Sequence, residues 1–331
     1  MTNISSDLCP HNFSQWLKLA QSTNQADPFC CSPIWQLSFH DAFCPERRLL
    51  IREEANCVLA FAEYILPEGK ILLAPIESHW FFGNPLLGSD SVDLLDEMIP
   101  FLEKFYKPHF PFIAISGIRP NGTFYNSLKR KFSSKFEFTL YSSGVQCGAS
   151  LKGGVDGYLS RRSADHRRKL TKYYKRATEM GVSFERILFA SGLDYETTYS
   201  RILSVELSSW KGIGKCGMAE EPGKDFYKTL LKWLSLSNDA RVILAKHEGK
   251  DIGFILGGKS GNIYRGQQFS YDEGWRKHSI GNLMQLEQIK WLCEEKASRY
   301  DMGPLIGPKM EYKSHWTEKR FKTETWILEK K

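Results

Sequence analysis

In the stretch Asn282–Ala297 apolar residues return every three to four positions, with Leu283, Leu286, Ile289 and Leu292 on one face. That spacing predicts a helix, and the β-rich runs on either side, Asn262–Ser270 and Ser298–Gly303, predict strands. The polar segment Tyr271–Gly281 is the turn that joins the first strand to the helix. Upstream, Ala240–His247 and Asp251–Lys259 form an expected hairpin closed by Glu248-Gly249-Lys250, and Gly257-Gly258 marks a bulge or a close backbone approach. Tyr195–Lys211 reads as a helix stopped by Gly212 and Gly214. The N-terminal half alternates in the same α/β manner. Helices are expected at Phe13–Leu19, Ile34–Phe43 and Ser91–Phe105, the last capped by Ser91 with Asp93 in its first turn. Strands are expected at Arg48–Arg52, Cys57–Leu66, Lys70–Pro75 and Phe112–Gly117.

A chain of 331 residues exceeds what one core usually organises. Two domains are therefore expected, 1–145 and 146–331, joined through the glycine-rich stretch between Tyr141 and Gly157. No internal repeat is visible. No apolar run reaches the roughly 18 residues that span a bilayer, and Met1–Asp7 has neither a basic nor an apolar signal region. These features predict a soluble, cytoplasmic protein without a membrane span. The eight cysteines show neither a C-x-x-C pair nor metal-ligand spacing with histidine, so no metal is expected.

Charge changes this picture at one place. Between Arg161 and Arg176 stand eight Lys/Arg against Asp165 alone, a local excess of +7 that equals the formal charge of the whole chain. Leu170, Tyr173, Tyr174 and Ala177 fall at helical spacing within it, which predicts an amphipathic helix with a cationic outer face. Besides a solvated face, such a run suits a polyanion: the 3′-phosphate of coenzyme A, an acidic acyl carrier protein, or transfer RNA. No recognition-helix or zinc motif accompanies it, so DNA is not an expected partner.

The turn before the Asn282 helix carries the clearest chemistry. A helix start leaves backbone N–H groups without intrahelical partners and adds the positive end of the helix dipole, and Arg276, Lys277 and His278 supply charge beside it. Together they make an anion site. The order strand, Arg276-x-x-Ser279-x-Gly281, helix, strand resembles the acyl-CoA pyrophosphate loop of the GNAT acyltransferase superfamily, with Ser279 standing where that motif has its first glycine. Tyr300-Asp301-Met302-Gly303-Pro304 followed by Tyr312-Lys313-x-x-Trp316 is similar to the CelD/BcsL-like acetyltransferase branch, related to the Fem-type aminoacyl transferases.

The resemblance implies an α/β (α+β) fold of tandem GNAT-like domains, each a mixed central sheet flanked by helices. The C-terminal one would hold the acyl-CoA site and the N-terminal one the acceptor side. It implies an enzyme, an N-acyltransferase that moves an acyl group from acetyl-CoA or another acyl-CoA to a small-molecule or sugar amine by direct attack. The pyrophosphate loop would be Arg276, Lys277, His278, Ser279, Ile280, Gly281 and Asn282, with the basic helix assisting. Gln267, Gln268, Phe269 and Ser270 on a bulged strand would face the thioester. The Glu206-x-x-x-Trp210-Lys211 spacing would put Glu206 on the acceptor side as general base. Trp210, Lys211, Tyr264 and Trp80 would contact the acceptor.

Asp301 at a strand end is a second carboxylate able to orient or deprotonate an amine, and His315 a further base candidate. The phenol of Tyr312 suits protonation of the departing thiolate. No Ser or Cys stands in a His-Asp arrangement, so no covalent intermediate is expected. Alternatives are a Fem-like aminoacyl-tRNA-dependent transferase and a degenerate GNAT domain used as a binding module.

Overall fold

The computed structural model describes residues 9–189 and 194–331. Met1–Asp7, read above for a targeting signal, lies outside them. In chain order the elements are α1 (Ser14–Ser22), α2 (Pro33–Phe43), β1 (Leu49–Glu54), β2 (Cys57–Ile65), β3 (Ile71–Pro75), β4 (Leu86–Gly88), α3 (Ser91–Phe105), β5 (Phe112–Ile118), α4 (Thr123–Phe132) and β6 (Phe136–Ser150). There follow α5 (Gly154–Ser160), α6 (Ala164–Glu179), β7 (Ser183–Ile187), α7 (Tyr195–Ser208), α8 (Trp210–Ile213), α9 (Gly223–Leu236), β8 (Ala240–His247), β9 (Lys250–Ser260), β10 (Ile263–Tyr271), α10 (Ile280–Glu294), β11 (Arg299–Pro304) and β12 (Lys319–Lys330). The fold is mixed α/β. Among the described residues no helix is long and apolar enough to cross a membrane.

The chain divides into two compact units. One is the described chain up to Val145 together with Phe321–Lys331, and the other is Gln146–Arg320. The last eleven residues, expected with the second domain, thus lie in the first unit. The reason is pairing: β12 runs antiparallel to β5, matching Ile327 with Ala114 and Leu328 with Ile113. The division itself falls inside β6, where a glycine-rich linker was expected. Gly148 is paired with Asp301 and sits in the strand.

In the first unit the strands follow the order β1-β2-β3-β5-β12, with β4 on β2. The β3–β5 pair is parallel and the other pairs named here are antiparallel. Two cores flank the sheet, one under α3 with Leu95, Leu102, Ile115 and Phe132, the other under α1 with Trp16, Val58 and Ile76. Helix α3 has the predicted bounds, but Ser91 does not cap it. Its Oγ donates to Gly88 O at 2.9 Å, and Asp90 occupies the cap position without a side-chain bond.

The second unit carries β11-β10-β9-β8-β7, flanked by the second half of β6 on β11. Only the β10–β11 pair is parallel among these. The β8–β9 hairpin turns through Glu248 (φ 48°) and Gly249 (φ 78°), the left-handed pair that matches strand twist. Gly257 on β9 is required by its neighbour across the sheet: a Cβ there would lie 2.2 Å from the Tyr264 hydroxyl. Helix α10 is buried on both sides, not along one stripe. Leu286, Ile289 and Leu292 join a core with Tyr158, Tyr300 and Trp316, while Ile280, Leu283, Met284 and Trp291 join one with Ile243 and Ile255. Helix α6 buries Leu170 and Ala177 of its predicted apolar face, but Tyr174, placed on that face by its spacing, is exposed.

Candidate active site

The antiparallel register of β10 against β9 slips between Gly266 and Gln268, so Gln267 is the extra residue of a β-bulge. Just past it the side chain of Gln268 is clamped on both atoms. Its Oε1 accepts from Lys211 Nζ at 3.0 Å and its Nε2 donates to Tyr227 Oη at 2.7 Å. Lys211 also donates to the carbonyl of Phe269 at 3.1 Å. On its far side, Lys211 Nζ stands 3.6 Å from Glu206 Oε1. Burial pushes the Lys211 ammonium below its usual pKa, against the opposing pull of Glu206.

Glu206 is fully buried at the end of α7. Its Oε1 accepts from Met218 N at 3.1 Å, whereas Oε2 has no hydrogen-bond partner among the described residues. The chain is folded tightly around it. Ser209 breaks the expected long helix into α7 and α8, donating to Glu206 O at 2.7 Å and accepting from the N–H groups of Lys211 and Gly212. Gly217 passes so close that a Cβ would lie 2.0 Å from Glu206 Oε1. An unpartnered carboxylate oxygen held this way is a proton acceptor of fixed position.

After β10 the chain makes a 3-10 turn over Glu273–His278, started by Asp272 accepting from Gly274 N at 2.8 Å. Ser279 then takes a left-handed φ of 59° and α10 begins. Asn282 and Leu283 bond back to Ser279 O, at 3.0 and 3.2 Å, while the N–H groups of Ile280 and Gly281 make no bond among the described residues. These are the orphan donors of a helix start. Gly281 lies on an aromatic floor, since a Cβ would meet Tyr271 at 3.1 Å and Phe269 at 3.2 Å. Arg276 is exposed and pairs with Glu273 at 3.1 Å, Lys277 is exposed, and His278 lies against Trp275 with ring centroids 5.0 Å apart. Ser270 is buried, its Oγ donating to Phe269 O at 2.8 Å.

The other expected site residues are placed as follows. Tyr312 sets its ring edge-on to Phe269 at 5.7 Å, and burial raises its phenol well above the usual range, so it stays protonated. Asp301 is buried and accepts from Arg299 Nε at 2.9 Å. His315 is exposed and stacks on His166 of α6 at 6.1 Å, away from the Glu206 cluster's hydrogen bonds. Tyr264 is fully buried and stacked on Tyr300 at 5.2 Å, which gives it a packing role. Trp210 is 44% exposed on α8. Trp80, in the first unit, stacks on Phe82 and donates its backbone N–H to the buried carboxylate of Glu77 at 2.6 Å.

Two residues of the site went unread in the sequence. Tyr227 carries no motif that marks it. Lys313 does sit in a readable place, between the aromatics of Tyr312-Lys313-x-x-Trp316. It is buried, donates to Pro304 O at 2.6 Å and makes no ion pair among the described residues. Burial, reinforced by Arg265, lowers it to about 7. Among the described residues no group of three His, Cys, Asp or Glu side chains could hold a metal ion.

Residues 164–314 match the model of the acetyltransferase (GNAT) domain family. No curated protein matches the chain. Among solved structures it is similar over its whole length to a conserved protein of unknown function from Bacteroides thetaiotaomicron (10% identity, 98% of this chain and 99% of that one, TM-score 0.67). It is likewise similar to FemX (12% identity, 95% of each chain, TM-score 0.68). A third is a C-terminal domain assigned to lysylphosphatidylglycerol synthetase from Agrobacterium fabrum (11% identity, 96% and 92%, TM-score 0.59). At these identities the likeness is one of fold.

Proposed function

We infer that this protein is an N-acyltransferase that moves an acyl group, acetyl in the simplest case, from acyl-CoA to an amine. The observation that carries the reading is the bulged β10, where Lys211 ties Gln268 and Phe269 to the buried Glu206 one strand before an α10 start with open N–H groups. The N–H groups of Ile280 and Gly281 hold the pyrophosphate, with Ser279 and Asn282 beside them and Arg276, Lys277 and His278 supplying charge. Backbone groups around Gln268 and Phe269 line the thioester. Glu206 Oε2 takes the proton of the acceptor ammonium. The amine nitrogen then attacks the thioester carbon, the C–S bond breaks, the thiolate takes a proton from Tyr312, and the second proton shed by the new amide nitrogen restores the phenol. Trp210 borders the acceptor. The motifs at Tyr300–Pro304 and Tyr312–Trp316 favour the CelD/BcsL-like branch.

Calorimetric titration with acetyl-CoA and with dephospho-CoA tests the donor. Binding is expected, weaker without the 3′-phosphate. Glu206→Gln is expected to lower turnover of an amine panel by about 10²–10⁴-fold while acetyl-CoA affinity holds. Loss of cofactor binding instead of turnover would remove Glu206 from the chemistry. The full-length likeness to FemX supports a second reading, an aminoacyl-tRNA donor. That reading prevails if acetyl-CoA gives no heat while tRNA binds with a steep salt dependence.

A further inference from the structure

The outer side of α6 borders a groove that the acyl-transfer chemistry does not use. It has a volume of about 440 Å³. Its floor is aliphatic, made by Leu159, Leu170 and Leu286, and its walls are Arg167, Tyr174 and Lys175. On α6 the lining positions 167, 170, 171, 174 and 175 follow one another at i, i+3, i+4, i+7 and i+8, with Thr171 at the middle, so the groove runs along the helix axis for roughly 12 Å. The charges at the walls are weakly compensated. Arg168 and Lys169 are each held by Asp165 at 2.8 Å, but Lys175 Nζ is 3.9 Å from Glu179 and, among the described residues, the Arg167 side chain bonds only to Leu159 O, at 3.4 Å. Lys290 lies over the Tyr174 ring at 4.2 Å but is paired with Glu287 at 2.7 Å and adds no net charge.

A recessed aliphatic floor between cationic walls selects its occupant. Nucleic acid meets the charge but has no aliphatic face to fill the floor, and the aromatic ring in the wall, Tyr174, is overlaid by Lys290 and so offers less of a stacking face to a base. A bilayer is flat and calls for apolar side chains that protrude. A helix with apolar residues at i, i+3/i+4 and i+7 and carboxylates on its flanks satisfies both floor and walls. We propose that the α6 groove docks an amphipathic helix of an acidic acyl carrier protein, which rests on the acyltransferase reading and adds a route by which the acyl donor is delivered.

The test is binding of fluorescently labelled, purified acyl carrier protein to the full chain at low and moderate salt. Two variants at exposed positions are compared, R167E/K175E, which reverses the wall charges, and Thr171→Trp, which fills the groove without altering charge. The carrier is expected to bind and to weaken at least about tenfold in each variant, with the salt dependence reduced only in the charge reversal. Bulk tRNA and vesicles of phosphatidylglycerol are titrated alongside, and neither is expected to respond to Thr171→Trp. Failure of the carrier to bind, or binding indifferent to Thr171→Trp, overturns the proposal. So does tRNA or vesicle binding that falls in both variants, which would make the groove a site for that ligand. Acetyl-CoA titration of the same preparation separates the two readings: if acetyl-CoA binds and the carrier does not, only the docking proposal falls.

Discussion

Lys313 sits where its own charge is disfavoured. Its ammonium has a single acceptor among the described residues, Pro304 O, and burial together with Arg265 brings its pKa to about 7 from the usual lysine value near 10.4. Between those values the unfolded chain binds a proton that the folded one does not. Stability therefore rises with pH across about 7 to 10, and the cost of the lysine is largest at or below neutrality. Lys313→Met is expected to raise the thermal midpoint at pH 7, by an amount that shrinks as the pH is brought to 9. A gap that stays constant with pH would show that Lys313 does not titrate this way. The site residues divide by how they reach their places. That Glu206 and Lys211 stand close together is legible in the Glu-x-x-x-Trp-Lys spacing, which is local, whereas the bonds of Lys211 to Gln268 and Phe269 are not, since it was expected to contact the acceptor. The open oxygen of Glu206 was not legible either, since it depends on the return of Gly217 and Met218 along the chain. Nor does anything in Tyr300–Pro304 show that Arg299 turns back onto Asp301.

At the scale of elements, α10 shows what a pattern of apolar positions omits. Its sequence offers one clear stripe, and its polar residues look like a solvent face. Yet Gln285 bonds to Tyr300 Oη, and Glu287 pairs with Lys290 at 2.7 Å, so these positions are buried with their polar groups engaged. Leu283 lies in the core that borders β8 and β9 and is fully enclosed. Leu283→Ala is expected to cost about 2–5 kcal/mol by urea denaturation, against at most about 0.5 kcal/mol for Leu207→Ala, which is 60% exposed. Equal losses would mean that α10 is not the enclosed element described. The bounds of the expected strands were readable to within two residues because periodicity is a local signal, whereas α4, α9, β7 and β12 were not read at all. Nor was the course of β6. Gly144 and Gly148 look like a linker, and only their pairing in space makes that stretch a strand.

For the molecule as a whole, the division of the chain is set by its last strand. Leu328 is fully buried in the core beneath α3, and Trp326 packs against the same cluster. Deleting residues 321–331 is expected to lower or abolish the calorimetric transition of the first unit while that of the second unit persists. A single unchanged transition would contradict the assignment of β12 to the first unit. No sequence signal marks this return, because nothing within Lys319–Lys330 says which sheet its strand joins.

The same connectivity sets an order of events during synthesis. All of Gln146–Arg320 precedes Phe321 in translation, so every residue of the second unit has been made while the first still lacks β12. Until β12 has left the ribosome, β5 is a bare sheet edge, the kind of surface that pairs with other chains. A chain stalled or cut short before Phe321 would thus expose an aggregation-prone strand in its oldest portion.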